Sequence, residues 1–396
     1  MSRHNEPAVL NRRRLLEGTA ALGGMMGVAG CVTTASLARG PIALAPMRAE
    51  PDRVFDIAVC LRPFRAAGPR LDAETVGAAL VVHNYGHGGS GWSLSWGSSA
   101  LAVRKAMASS PRRVAVIGCG ALGLTSAILA QQAGAQVTIY ARDELPDTRS
   151  ARATGTWTPD SRIALEAAAP PGFGDTWEEM ARISFKTYRR YIGLPGSPVE
   201  FSDRYLLSDV DPDGVVPAPD PLGFASYRRR IIDLVPPYRP LPAGATSFPT
   251  PYVRHASQLM FNITAYGHTL MGDFLAAGGR FVRTEFHAPG EIATLTETVV
   301  INCPGYGARS LWKDPSVVPV RGQISRLIPQ PDVDYGVVYN GVATVPRRDG
   351  IVVQDISGGD IKGYGDDNET PDTAESAKAV ATIAELARRM AAKRVT

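Results

Sequence analysis

Val114-Ala115-Val116-Ile117-Gly118-Cys119-Gly120-Ala121-Leu122-Gly123 decides the fold of this 396-residue chain. Four apolar residues in a row predict a buried strand, and the glycines that follow have G-x-G-x-x-G spacing. Residues 124–133 then read as a helix stopped by Gly134, and residues 137–140 as a second strand. The whole is a βαβ unit suited to a dinucleotide. Gly118 permits the tight turn, Gly120 lets backbone approach a pyrophosphate, and Gly123 lets helix and strand pack closely. The phosphates then rest on free N–H groups at a helix N-terminus. The motif serves NAD and FAD alike. An acidic residue is wanted at the end of the second strand to bind ribose. Ala141-Arg142-Asp143 stands there, so either Arg142 or Asp143 takes that role.

Upstream, residues 80–83 predict a short strand entering His83-Asn84-Tyr85-Gly86-His87-Gly88-Gly89-Ser90-Gly91-Trp92-Ser93. The dense glycines exclude regular structure and let backbone pass close to a flat ring. A helix expected over 92–108 aims its N-terminal dipole at the same place. That suits a flavin pyrimidine edge, which gains negative charge on reduction. His83 and His87 do not make a metal site, because the sequence nearby offers no carboxylate and no third histidine. Earlier still, residues 54–61 predict a strand leading into Arg62-Pro63. Downstream, helices are expected over 177–191, 266–277 and 373–393, and a strand over 299–302. Residues 323–327, 336–339 and 351–354 alternate like an antiparallel sheet.

Composition is that of a globular enzyme, 44% apolar and 20% charged. The net charge of +4 includes four arginines against two glutamates within residues 1–30. Without that excess the body carries about +2, too little to point to nucleic acid. Residues 1–30 read as an export signal. Asn11-Arg12-Arg13-Arg14-Leu15-Leu16-Glu17 resembles the twin-arginine pattern, and a short run of small apolar residues follows. Val28-Ala29-Gly30-Cys31 resembles a bacterial lipoprotein box, with Cys31 lipidated. Residues 31–51, rich in Ala, Gly and Pro, are expected to form a flexible tether. The expected location is the periplasmic face of a bacterial membrane, touched only through the lipid on Cys31, since no other segment has 18 apolar residues in a row. The twin-arginine route carries folded proteins, which suits one that takes up its cofactor first. Cys60, Cys119 and Cys303 fit neither a disulfide framework nor zinc spacing and read as buried, inert thiols.

Residues 83–91 with Trp96-Gly97, and Leu61-Arg62-Pro63-Phe64-Arg65-Ala66-Ala67-Gly68-Pro69-Arg70-Leu71, closely resemble signatures of the D-amino-acid and D-aspartate oxidases. Val116 to Gly123 with Tyr140-Ala141-Arg142-Asp143, and Ala153-Thr154-Gly155-Thr156-Trp157-Thr158-Pro159, continue the likeness. So do Val300-Ile301-Asn302-Cys303-Pro304-Gly305, Arg321-Gly322-Gln323 and Tyr339-Asn340. The order departs from that family. The Arg-Pro strand and glycine loop come last there; here they come first, joined through Ser109-Ser110-Pro111. This looks like a circular permutation, tolerable where the original termini lie close and the new break falls in a loop.

The resemblance implies an α/β fold with a Rossmann-like FAD-binding domain plus an antiparallel-sheet substrate domain. After the signal (1–30) and tether (31–51), residues 52–170 would hold the substrate-arginine strand, the flavin loop and the βαβ core. Residues 171–250 and 309–370 would form the substrate domain, 251–308 the second part of the FAD-binding domain, and 371–396 a C-terminal helix. The implied cofactor is non-covalent FAD, held by Gly118, Gly120, Gly123, Arg142 or Asp143, Gly155, Thr156 and Trp157, and by His87, Gly88, Gly89, Ser90, Gly91, Trp92 and Ser93. Arg62 matches the arginine that grips the substrate carboxylate, a task its planar fork suits. Tyr339 matches an active-site tyrosine. Where the family has a second tyrosine, this chain has Ala343, and losing a hydrogen bond to a carboxylate costs roughly 1.5–3 kcal/mol. The implied activity is oxidative deamination of a D-amino acid by dioxygen, with hydrogen peroxide released. A glycine- or sarcosine-type amine oxidase, a flavin dehydrogenase and a non-catalytic flavin-scaffold lipoprotein are the alternatives.

Overall fold

Two sheets organise the residues described by this computed structural model, 42–214 and 220–395. The export signal, Cys31 and residues 31–41 of the expected tether lie outside the described residues. In chain order the strands are β1 (Val54–Phe64), β2 (Ala73–Val76), β3 (Ala79–His83), β4 (Arg113–Ile117), β5 (Gln136–Ala141), β6 (Val199–Ser208) and β7 (Arg239–Pro240). They continue with β8 (Tyr252–Phe261), β9 (Arg280–Arg283), β10 (Val299–Asn302), β11 (Val318–Leu327), β12 (Tyr335–Tyr339), β13 (Val342–Arg347) and β14 (Gly350–Asp355). The helices are α1 (Gly91–Ala106), α2 (Ala121–Gln132), α3 (Phe173–Tyr188), α4 (Ile263–Ala276), the single turns α5 (Pro289–Ile292) and α6 (Ala308–Leu311), and α7 (Thr373–Val395).

The smaller sheet runs β2-β3-β10-β4-β5-β9, parallel throughout except for the β2 edge. β4 is buried on both faces, as an unbroken apolar run requires of a central parallel strand. α1, α2, α3 and α4 share one apolar core with this sheet. α1 and α3 pack backbone to backbone: a Cβ on Gly97 would collide with the main chain of Met180. The larger sheet runs β1-β11-β14-β13-β12-β6-β8-β7, antiparallel except for the β12–β6 pair. One of its faces is covered by α7, where Tyr335, Val337 and Tyr339 of β12 join Tyr205 and Leu207 of β6 and Ile383, Leu386 and Met390 of the helix. This arrangement of a parallel dinucleotide-type sheet and an antiparallel one is the α/β fold expected.

Several expected boundaries need correction. α3 was assigned with 171–250 to the substrate domain, but Trp177, Met180 and Ala181 sit in the core of the smaller sheet. β8 was assigned to the FAD-binding part, yet it pairs with β6 along its whole length. Residues 42–51 are no flexible tether: Leu44, Met47 and Ala49 are buried beside α7, and Arg48 N–H donates to Gln330 Oε1 at 2.8 Å. Their spacing is neither helical nor strand-like, so periodicity carries no sign of this docking. β13 escaped notice for a related reason: all six of its residues are buried, so it shows no alternation.

Candidate active site

The Gly118 turn leaves β4 and enters α2. A Cβ on Gly118 would strike the Cys303 carbonyl, and one on Gly123 the carbonyl of Gly118 itself. The roles expected of these glycines therefore have a steric basis. Gly123 acts through packing and does not line the cleft. Gly120 is the N-cap of α2 and contributes no side-chain cap. The Ala121 N–H donates to Ser150 Oγ at 3.1 Å, and the N-terminus otherwise faces a cleft of about 1590 Å³.

α1 opens on the same cleft. Gly91, Trp92 and Ser93 line it, and no side chain caps this helix either. Two helix N-termini thus direct their partial positive charge into one space. His87, Gly88 and Gly89 line it too. Gly88 has φ +53, and a Cβ there would strike the Arg162 carbonyl, so only glycine lets the loop lie so close. His87 Nε2 sits 2.7 Å from Ser98 Oγ, and that hydroxyl donates to Asn84 Oδ1 at 2.6 Å. Burial, with Arg65 nearby, pushes His87 down to about 3, so the imidazole is neutral.

Gly155 and Thr156 line the cleft, as do Arg142 and Asp143, which pair with one another at 2.8 Å on its rim. Arg142 is also bound to Glu285, at 3.1 Å. Two expected contacts fail. Trp157 turns into the helix core, its Nε1–H donating to the Ser93 carbonyl at 3.1 Å. Ser90 is buried and ties the loop down through the carbonyls of Thr158 and Ser161. Ser93 keeps a cleft position while its Oγ accepts the Thr158 N–H at 2.8 Å.

Arg62 lies at the cleft, two residues along β1 from Cys60. Its guanidinium occupies the space above Gly322, where a Cβ would collide with it. It donates to the Arg321 carbonyl at 3.2 Å and forms no ion pair among the described residues. Burial holds its pKa below the ordinary guanidinium value. Tyr339 is not an active-site residue. Strand alternation turns it under α7, where its hydroxyl donates to Asp209 at 3.3 Å and accepts from Arg389. Ala343, by contrast, does line the cleft.

Sequence reasoning missed several cleft residues. Thr148 Oγ1 and Arg149 Nε are buried there without partners, two polar atoms awaiting a ligand close to the Gly118 turn. Arg162 is pinned to Asp360 at 3.0 Å and brought down to about 10, mainly by burial with Arg62 also close. Cys60 is a cleft residue rather than a core one, but burial raises its thiol despite three nearby arginines. Cys119 and Cys303 are pushed up to about 12. His83 does have a carboxylate beside it, Glu74 at 2.7 Å, delivered by β2. The described residues hold no group of three or more His, Cys, Asp or Glu placed to bind a metal.

A glycine turn on a parallel sheet, two helix N-termini on one cleft, orphaned polar atoms and a second sheet bearing a half-buried arginine define a dinucleotide-dependent enzyme. The residues fit FAD: Gly118, Gly120 and Ala121 would hold its phosphates, and His87, Gly88 and Gly89 would line the part of the cleft left for its ring system. Residues 113–395 match the DAO family of FAD dependent oxidoreductases, and the chain belongs to that family. Its cofactor is FAD. A D-amino-acid oxidase of Streptomyces coelicolor is 30% identical over 214 residues, 53% of this chain and 58% of that one. One of Rubrobacter xylanophilus is 29% identical over 219 residues, 54% of this chain and 59% of its own. A D-aspartate oxidase of Cryptococcus neoformans is 46% identical over 56 residues, 13% of each chain. The chain thus spans under two thirds of the length of these relatives. A solved L-amino acid deaminase from Proteus vulgaris covers 62% of this chain and 60% of its own at 14% identity, with a TM-score of 0.42, too distant to add to the assignment.

Proposed function

We propose that this protein oxidises the Cα–N bond of a D-amino acid, releasing the imino acid and hydrogen peroxide. The observation that carries the reading is Arg62, a half-buried guanidinium with no ion pair among the described residues, on the cleft that both helix N-termini face. Such a group is costly to bury alone, and a substrate carboxylate satisfies it bidentately. The names of the two bacterial relatives support the same reading. FAD supplies the hydride acceptor and the path of electrons to dioxygen. The chain's part is to hold and orient the substrate: Arg62 clamps the carboxylate over Gly322, and the neutral His87 keeps positive charge off the loop. The substrate amine reacts as the free base, and no side-chain base is needed.

The test is an absorption spectrum of the purified protein, followed by anaerobic D-alanine. A flavin spectrum that bleaches, with peroxide formed in air, is expected. Flavin that no D-amino acid bleaches would overturn the reading. Arg62→Ala should raise KM by about 30-fold or more while FAD stays bound; an unchanged KM removes Arg62 from the substrate. A second reading, a glycine- or sarcosine-type amine oxidase, is favoured by the missing phenols, since neither Tyr339 nor position 343 offers a hydroxyl to the cleft. A panel of secondary amines scored by peroxide separates the two.

Circular permutation and export belong to the same proposal. The family match begins at Arg113, the first residue of β4, while β1, β2, β3 and α1 ahead of it complete both sheets. The motifs at 11–17 and 28–31 support twin-arginine export and a lipid on Cys31, at the periplasmic face of a membrane. Cys31→Ser should move the protein from the membrane to the soluble fraction.

A further inference from the structure

We propose that Arg162 is a positioning residue for the oxidation: it latches residues 356–372 across the substrate end of the cleft as a movable strap, and it ties that strap to the glycine loop around Gly88. The inference rests on the oxidase reading for what the strap covers and on separate residues for the latch itself.

Residues 356–372 join β14 to α7, and Gly359, Asp360, Gly363, Asp366 and Glu369 among them line the cleft. β11 sets their place. The Arg321 N–H donates to the Gly363 carbonyl at 2.8 Å, and the Gly365 N–H to the Pro319 carbonyl at 2.9 Å. Val320 therefore lies between Tyr364 on one side and Arg62 on the other. Two strand spacings, about 10 Å, separate the segment from the Arg62 backbone. Gly363 has φ +79, and a Cβ there would strike the Arg321 carbonyl, the same oxygen that accepts from the Arg62 guanidinium at 3.2 Å.

No residue in 356–372 is buried, and its ring contact with the body is Tyr364 edge-on to Phe64 at 5.8 Å. What holds the segment is polar. At one end Glu369 pairs with Arg149, and with Arg152 at 3.5 Å. Midway, Arg321 donates to the Asn368 and Thr370 carbonyls, both at 2.9 Å, and Lys362 pairs with Asp355 and Glu375, both at 3.0 Å. At the other end Arg162 Nε donates to the Asp360 carbonyl at 2.6 Å and Nη2 to the Gly359 carbonyl at 3.1 Å, while Nη1 meets the Asp360 carboxylate at 3.0 Å. A segment held by hydrogen bonds and partly exposed ion pairs, with nothing in the core, opens far more readily than the sheets beneath it.

The backbone of Arg162 sets it apart from the other holding groups. It has φ +51, a left-handed conformation that residues other than glycine rarely adopt and that persists only where its surroundings enforce it. Its carbonyl lies against Gly88, where an added Cβ would collide with it. The carbonyl of Ser161, one residue earlier, accepts from the Gly89 N–H and from the Ser90 hydroxyl, both at 3.0 Å. Arg162 thus grips the strap with its side chain and the glycine loop with its main chain. A cofactor that settles the loop also settles Arg162 and, through it, the strap, and each event favours the other.

Lys362 supplies the readout. It is the one Lys or Arg within 356–372, and trypsin reaches the bond after it only while the strap is lifted. The experiment is limited trypsin digestion of the full chain, with and without saturating FAD, following the cut after Lys362 by mass spectrometry. In wild type FAD should slow that cut. In the FAD-loaded protein Arg162→Met should speed it by about tenfold or more, leave cuts at other sites within about twofold, and remove the protection that FAD gives. Glu369→Gln should speed the cut yet keep the protection, and Arg162→Lys should recover part of the latch. With D-alanine, Arg162→Met should raise KM about fivefold and leave kcat within about twofold, the split expected when enclosure is lost and the chemistry is not. A cut after Lys362 indifferent to Arg162, cuts rising equally at every site, or FAD protection surviving in Arg162→Met would overturn the proposal. Should Arg162→Met not fold, Arg162→Lys compared with Glu369→Gln decides by the same loss of protection. If no D-amino acid is oxidised, the oxidase reading fails by itself, and the trypsin digestion still decides the latch.

Discussion

His87 is 2% exposed and bonded to a serine whose own proton goes to Asn84, so its Nε2 carries hydrogen. Its pKa falls to about 3 in the fold, from roughly 6.5 in the unfolded chain. Between those values the unfolded chain takes up a proton that the fold refuses, so stability is full above pH 6.5 and declines as pH drops toward 3. The slope from this residue is roughly 1.4 kcal/mol per pH unit. Urea unfolding at pH 7, 6 and 5 should show a flatter decline for His87→Asn than for wild type; identical slopes would mean that the imidazole charges in the fold. Arg347 is the corresponding case for a permanent charge. It is fully buried, bonded to Asp349 at 2.8 Å and to the Ala153 carbonyl at 2.7 Å, and Arg347→Met should cost about 3–5 kcal/mol in denaturant unfolding. Residue roles were legible where chemistry is local. The glycines of the two loops and Arg62 carry their meaning in type and spacing. Tyr339 departs from its expected role because the motif names a residue without stating which face of β12 it occupies.

Two glycines inside helices show what elements add. Gly97 in α1 lies against the main chain of Met180 in α3, so Gly97→Ala forces the helices apart. Overpacking of this kind costs about 1–3 kcal/mol, and it should lower the melting temperature and loosen FAD. Gly272 in α4 has nothing within 4 Å of an added Cβ, and Gly272→Ala should stabilise by about 0.5–1 kcal/mol through helix propensity alone. Thermal melts of the two variants should move in opposite directions; a common direction would contradict the packing of α1 on α3. The sequence cannot separate these two positions, since both are glycines in apolar helical runs. It does show α1, α2, α4 and α7 clearly, and β10 at its observed bounds, because those segments have strong periodicity or sharp Gly and Pro stops. β13 and β8 have neither, and their places depend on partners distant in the chain.

At the scale of the whole molecule the sheets interleave in sequence: β1 pairs with β11, and β3 with β10, across more than half the chain. Linear boundaries therefore misplace β8, and misplace α3 even though its helix is foreseen. Residues 42–51 follow the same logic. Composition marks them as a linker, yet Ile42 bridges to Thr246, Met47 and Ala49 are buried, and Gln330 returns a hydrogen bond to the Arg48 carbonyl at 2.8 Å. The segment closes the core between α7 and the larger sheet on a side remote in sequence from every motif of the cleft. A chain beginning at Pro51 would expose the α7 core beneath Leu44 and Met47, each worth about 1.5–3 kcal/mol when fully buried. It should melt several degrees below a chain beginning at Ile42 while binding FAD with equal affinity. Equal melting temperatures would restore the flexible tether.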